Sequence, residues 1–213
     1  MTNTNLKHNK INLSVLISGS GRTLKNIIDK IEDGYLNAAI KLVISSNPKA
    51  TGLQWAEKYG IQTSIINRAD FKNTDEFSHA ITGQVDKFSI DLILLAGFIH
   101  FYRIPDKYFG KVMNIHPGLI PAFCGKGYYG RQVHKAVIDY GAKVSGCTVH
   151  FADNKYDNGP IILQRTVQIK DDDTPETLGE RVFQEECISY PEAIKLFAEG
   201  KLEISGRRVK IGS

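Results

Sequence analysis

Apolar residues follow two rhythms along this chain, and the rhythms take turns. Short continuous runs read as strands buried on both faces: INLSVLIS (11–18), AIKLVIS (39–45), IQTSII (61–66), IDLILLAG (90–97) and KVMNIH (111–116). Between them, TLKNIIDKIEDG (23–34), TGLQWAEKYG (51–60), 73–88 and GRQVHKAVIDYG (130–141) space their apolar positions three and four apart, which predicts helices. Gly60 is a natural stop for the second helix, and Asn73 or Thr74 a natural start for the third. The run at 90–97 is the most apolar and is expected at the sheet centre.

Past residue 142 the rhythm changes. KVSGCTVHFA (143–152) and GPIILQRTVQI (159–169) are two β-like runs around the loop DNKYDN, which suits a hairpin. Residues 174–200 predict a long helix with Thr174 as N-cap and Pro175 in its first turn. Thr177 and Glu180 sit near capping-box spacing, and Pro191 should kink or split the helix. LEISGRRVKI (202–211) reads as a small hairpin over Ser205-Gly206. Alternating β and α units define an α/β fold with a mainly parallel sheet, and such sheets bind ligands beyond the carboxyl ends of their strands.

Composition narrows the function classes. A chain of 213 residues with 42% hydrophobic content suits one domain, read as 11–213 behind a flexible polar arm at 1–10. The net charge of +4 is small and scattered, which favours anionic small molecules over nucleic acid. No apolar run approaches membrane-span length, and the start has no signal-peptide core, so membrane is excluded as a partner and a cytoplasmic location is expected. Cys124, Cys147 and Cys187 are odd in number and far apart, which argues against a disulfide framework or a zinc site and for a reducing compartment.

LISGSGRTL (16–24) carries the first candidate chemistry. A strand runs through Gly19 and Gly21 into a helix start, where free N–H groups and the positive dipole end suit a phosphate. A plain βα turn is the competing reading. A dinucleotide fingerprint would need a third glycine at Leu24 and an acid after the second strand, and both are missing. CGKGYYG (124–130) has Gly-Lys-Gly where a P-loop needs Gly-Lys-Ser/Thr, and neither GxSxG nor HExxH occurs.

His116 is the second candidate. It ends an apolar strand before Pro117, and alternation puts it on the same side as Asn114. An amide and an imidazole side by side hold a carbonyl oxygen and move a proton, whereas a lone strand-end histidine also serves as a simple cap. Asp153 and Asp157, in the loop between the two β-like runs, offer a carboxylate partner, although Asp, Asn and Gly also make ordinary turns. His134 reads as a surface residue of its helix, and His150 as lining the cleft or packing.

Three segments, LISGSGRTLKNII, LAGF…MNIHPGLIPAF and SGCTVHFADNKYDNGPIILQ, together resemble the folate-dependent glycinamide ribonucleotide formyltransferases of purine synthesis. The resemblance runs from about residue 12 to 204. It implies a Rossmann-like open sheet flanked by helices, and formyl transfer from 10-formyltetrahydrofolate, without metal, to the amine of glycinamide ribonucleotide. It also implies a catalytic Asn114, His116 and Asp157, and a phosphate on Gly19, Gly21, Arg22 and Thr23. Glu186, Pro117 and Gly118 would meet the nucleotide substrate; Phe98, Ile99, His100, Phe101, Tyr102, Asp153 and Asn154 would meet the folate. Monomer and homodimer both fit. Many members carry Ser-Asn at Arg22-Thr23, Ser at Gly118 and Arg at His100, and the loop at 124–130 is altered. Transfer to another amine, such as a sugar nucleotide, formyltetrahydrofolate hydrolysis, and a catalytically silent folate- or nucleotide-binding protein are the alternatives.

Overall fold

The computed structural model describes residues 10–212. The predicted arm therefore lies, apart from Lys10, outside the described residues. Nine strands form one sheet: β1 (Ile11–Ile17), β2 (Ala38–Ser45), β3 (Thr63–Ile65), β4 (Leu92–Leu95), β5 (Val112–His116), β6 (Val144–Phe151), β7 (Ile161–Gln168), β8 (Leu202–Ser205) and β9 (Arg208–Ile211). Their order is β3-β2-β1-β4-β5-β6-β7-β9-β8. Strands β1 to β5 pair in parallel, and β6 then turns antiparallel against β5 and β7. The apolar β4 lies between β1 and β5, and the middle place falls to β5 itself.

Five helices cover the sheet: α1 (Arg22–Glu32), α2 (Leu53–Lys58), α3 (Thr74–Val85), α4 (Arg131–Tyr140) and α5 (Pro175–Ala198). Continuous apolar strands feed both faces. Leu13, Val15 and Ile17 of β1 pack with Leu24 and Ile27 of α1 and Tyr190 of α5, whereas Leu16 faces Phe77 and Ile81 of α3. A third apolar cluster joins Val133 and Val137 of α4 to Leu178 and Val182 of α5 over β6 and β7. Helix α3 opens on Asn73, whose side chain accepts the Glu76 N–H.

Two details of α5 depart from expectation. Its capping box joins Thr174 to Thr177, each hydroxyl accepting the other's backbone N–H, and Glu180 instead reaches Arg22. Pro191 does not split the helix. Proline lacks the N–H that would bond the carbonyl four residues back. That carbonyl, of Cys187, accepts instead from the Asn26 side-chain amide of α1 at 3.1 Å. The lost ladder bond becomes a bond between helices.

Candidate active site

Sheet order reverses direction between β1 and β4, so the loops at their carboxyl ends diverge and leave a crevice. A cleft of about 910 Å³ occupies it. Its walls are the glycine loop after β1, the 95–102 segment after β4, the end of β5, the 125–131 loop, the 152–157 loop and one face of α5.

The glycine loop closes on Gly21, the N-cap of α1, at φ +68. A Cβ there would stand 2.7 Å from the Gly52 backbone, so glycine is required by conformation and by space. The side chain of Arg22 leaves this loop, meets Glu180 at 2.6 Å and lies over the Phe183 ring at 3.8 Å. The guanidinium holds the Glu180 carboxyl below its ordinary range. Thr23 is buried beneath. Glu186, also on α5, is buried with Arg22 as its charged neighbour, and burial pushes its carboxyl up to about 7.

At the end of β5 four polar groups converge. Asp157 carries φ +46, an uncommon backbone state for a residue with a side chain. Its carboxylate accepts from the Gly125 N–H at 2.8 Å and from Asn114 Nδ2 at 3.3 Å, and stands 3.6 Å from His116 Nδ1. His116, only 3% exposed, has its Nε2 3.0 Å from the Phe123 carbonyl. Both ring nitrogens thus face acceptors, which suits an imidazolium. Burial opposes it and wins: the ring's proton affinity is lowered, against the pull of Asp157 and Phe123. Asp157 lifts this histidine by its own charge, but the net direction is down.

His150 faces Asn114 across the β5–β6 ladder, with Nε2 3.1 Å from Asn114 Nδ2. It is 1% exposed and stands at the cleft. His134 is a correction. It is buried rather than on the surface, it lines the cleft, and its Nδ1 has no hydrogen-bond partner. Burial lowers its pKa to about 4. A helical histidine turns inward here because Gly179 of α5 leaves room: a Cβ there would lie 2.9 Å from its ring.

Most of the residues singled out in the sequence meet in this cleft: Gly19, Gly21, Arg22, Thr23, Phe98, Ile99, His100, Phe101, Tyr102, Asn114, His116, Pro117, Asp153, Asp157 and Glu186 all line it. Two do not. Gly118 is buried under the His116 ring, where a Cβ would come 2.9 Å from Nε2, and its carbonyl accepts from the Thr148 hydroxyl. It supports the histidine from behind. Asn154 clasps the main chain of Ile104 with both ends of its amide, at 2.8 and 3.0 Å, and so fastens the 152–157 loop. Of the folate candidates, Tyr102 shows the cleft little, being 3% exposed and bonded to Thr82. Among the described residues no group of three metal-ligating side chains converges, and no helix is long and apolar enough to cross a membrane.

An amide, an imidazole and a carboxylate thus meet at one strand end of an open α/β sheet. The formyl transferase family model matches residues 11–194, and the chain belongs to that family. It is 36% identical over 194 residues to a phosphoribosylglycinamide formyltransferase of Haemophilus influenzae, covering 90% of this chain and 89% of that protein. Its fold matches the crystal structure of glycinamide ribonucleotide transformylase 1 from Symbiobacterium toebii, with TM-score 0.90, 39% identity and coverage of 97% and 96%. A trifunctional purine biosynthetic protein adenosine-3 of Gallus gallus is 39% identical over 201 residues, 93% of this chain. The chain spans about a fifth of the length of that relative (20%).

Proposed function

We propose that this chain transfers the formyl group of 10-formyltetrahydrofolate to the primary amine of glycinamide ribonucleotide, a step of purine biosynthesis. The observation that carries the reading is the convergence of Asn114, His116 and Asp157 at the end of β5, in a cleft that also reaches the β1 glycine loop. Relatives named for this activity support the acceptor.

The amine nitrogen bonds to the formyl carbon, and the carbonyl oxygen takes up negative charge. An Asn114 N–H stabilises that oxyanion. Collapse breaks the bond from carbon to the folate nitrogen, which keeps the electron pair and gains a proton. The amine loses one. His116 assists that proton transfer through water, and Asp157 favours the protonated ring. Gly19, Gly21, Arg22 and Thr23 hold the phosphate, with Glu186 and Pro117 along the nucleotide. Phe98 to Phe101 and Asp153 border the folate, with Tyr102 and Asn154 shaping that wall. No metal takes part. Three free cysteines support a reducing, cytoplasmic setting.

The test is folate deformylation followed by absorbance, with and without glycinamide ribonucleotide. Turnover that requires the ribonucleotide is the expected result. Equal turnover without it would make the chain a hydrolase. No turnover, with tight folate binding, would leave a silent binder or another acceptor amine.

A further inference from the structure

We infer that His150 is a positioning residue that locks the orientation of the Asn114 amide and thereby makes Asn114 a hydrogen-bond donor to the reacting carbonyl; the inference rests on the formyl-transfer reading above. The argument begins at the far side of the His150 ring. Its Nδ1 lies 2.9 Å from the Phe151 carbonyl oxygen. A carbonyl has no hydrogen to give, so Nδ1 carries the proton. Burial disfavours the charged ring and outweighs the pull of Asp157 Oδ1, 3.9 Å from Nε2, so the neutral ring is favoured. Its Nε2 is then a bare acceptor, 3.1 Å from the Asn114 amide. Only the amide nitrogen can donate to it.

The other neighbour of that amide selects the same orientation. Asp157 Oδ1 stands 3.3 Å from Nδ2 and also demands a hydrogen. Turned over, Asn114 would face a lone pair of His150 and a carboxylate oxygen with its own carbonyl oxygen. Without these two contacts a side-chain amide has two accessible faces, and one of them repels an oxyanion.

The two contacts differ in what they can release. The bond to His150 is the shorter, its imidazole is buried, and strand register places these two residues directly opposite each other. The bond to Asp157 is the longer, and its carboxylate is the more exposed partner, at 12% against 2% for the His150 side chain. A developing oxyanion therefore takes the N–H now shared with Asp157, while His150 keeps its own. Asp157, released, remains beside His116 Nδ1 at 3.6 Å.

The experiment is a double-mutant cycle read as kcat and KM for both substrates. His150→Leu is expected to lower kcat about 10- to 100-fold, the scale of a misoriented group, with both KM values little changed. His150→Gln, whose Oε1 can accept near the Nε2 position, should recover most of the loss. In an Asn114→Ala background, His150→Leu should cost less than about twofold further, because the two act as one unit. Multiplying effects in the double variant, or unchanged kcat in His150→Leu, would overturn the inference. Should His150→Leu not fold, long-range ¹H–¹⁵N correlation of ¹⁵N-histidine wild-type protein decides independently of turnover. A neutral Nδ1–H tautomer at His150 near neutral pH is expected, and an Nε2–H tautomer or imidazolium would refute it. Wild-type inactivity with this substrate pair would remove the formyl-transfer reading, and the tautomer measurement would still judge the lock.

Discussion

The two ends of the cleft are built on opposite plans. At the β5 end, His116 and His150 are 3% and 1% exposed, each ring has a nitrogen against a backbone carbonyl, and strand register sets Asn114 opposite His150. At the β1 end, Arg22 and Glu180 are half in water, with side chains 51% and 53% exposed, and meet through long flexible stems. Fixed dipoles in a dry setting act strongly on charge that appears during reaction. An exposed ion pair contributes little to stability and exchanges partners easily. On the proposed reading, one end keeps its geometry and the other gives its contact away to an arriving anion.

Substitutions should separate the two ends by which kinetic constant they move. The largest effect is expected for Asn114→Ala, which removes an oxyanion donor and should lower kcat by ~10²–10³. Near-normal steady-state turnover would assign the oxyanion elsewhere. Asp157→Asn should lower turnover by about 10², within the range of acid–base assistance. It also removes the attraction that partly offsets burial at His116. The imidazolium then forms only in more acidic solution, so the His116 limb of the kcat/KM–pH profile should move to lower pH. An unmoved limb would make Asp157 a loop anchor only. At the other end, Arg22→Ala should raise KM for the ribonucleotide about tenfold, a loss of about 1.4 kcal/mol, with kcat nearly unchanged. A fall in kcat of that size instead would erase the contrast between the ends. Smallest of all, Glu180→Gln frees Arg22 and should lower that KM slightly, while thermal unfolding shifts by no more than about 0.5 kcal/mol of stability.

The succession of strands and helices was legible because each element buries a face with its own period. β1 and β4 read correctly as two-faced strands, and the turn to an antiparallel hairpin after residue 142 was visible as a change of rhythm. The pairing of Asn114 with His116 followed from alternation alone; Asp157 was one of two loop carboxylates, and the resemblance chose it over Asp153. What failed were contacts between residues far apart in sequence. Arg22 and Glu180 are separated by 158 positions, and no local pattern announces their bond. His134 looked exposed because its helix carries charges around it; the space that takes it in belongs to Gly179 on another helix. Asn154 was named through the resemblance, and no local pattern announces that its amide fastens the Ile104 main chain. Pro191 looked like a break because propensity sees one helix at a time.

That proline has a further consequence. The carbonyl it leaves open on Cys187 is held by α1, the helix whose first residues form the glycine loop, and sits one residue beyond Glu186. The defect therefore works as a clamp: it ties together the two helices that carry Arg22 and Glu186 on the cleft walls. Replacing Pro191 with alanine would mend the helix internally and loosen the clamp, making a sounder part in a looser tool.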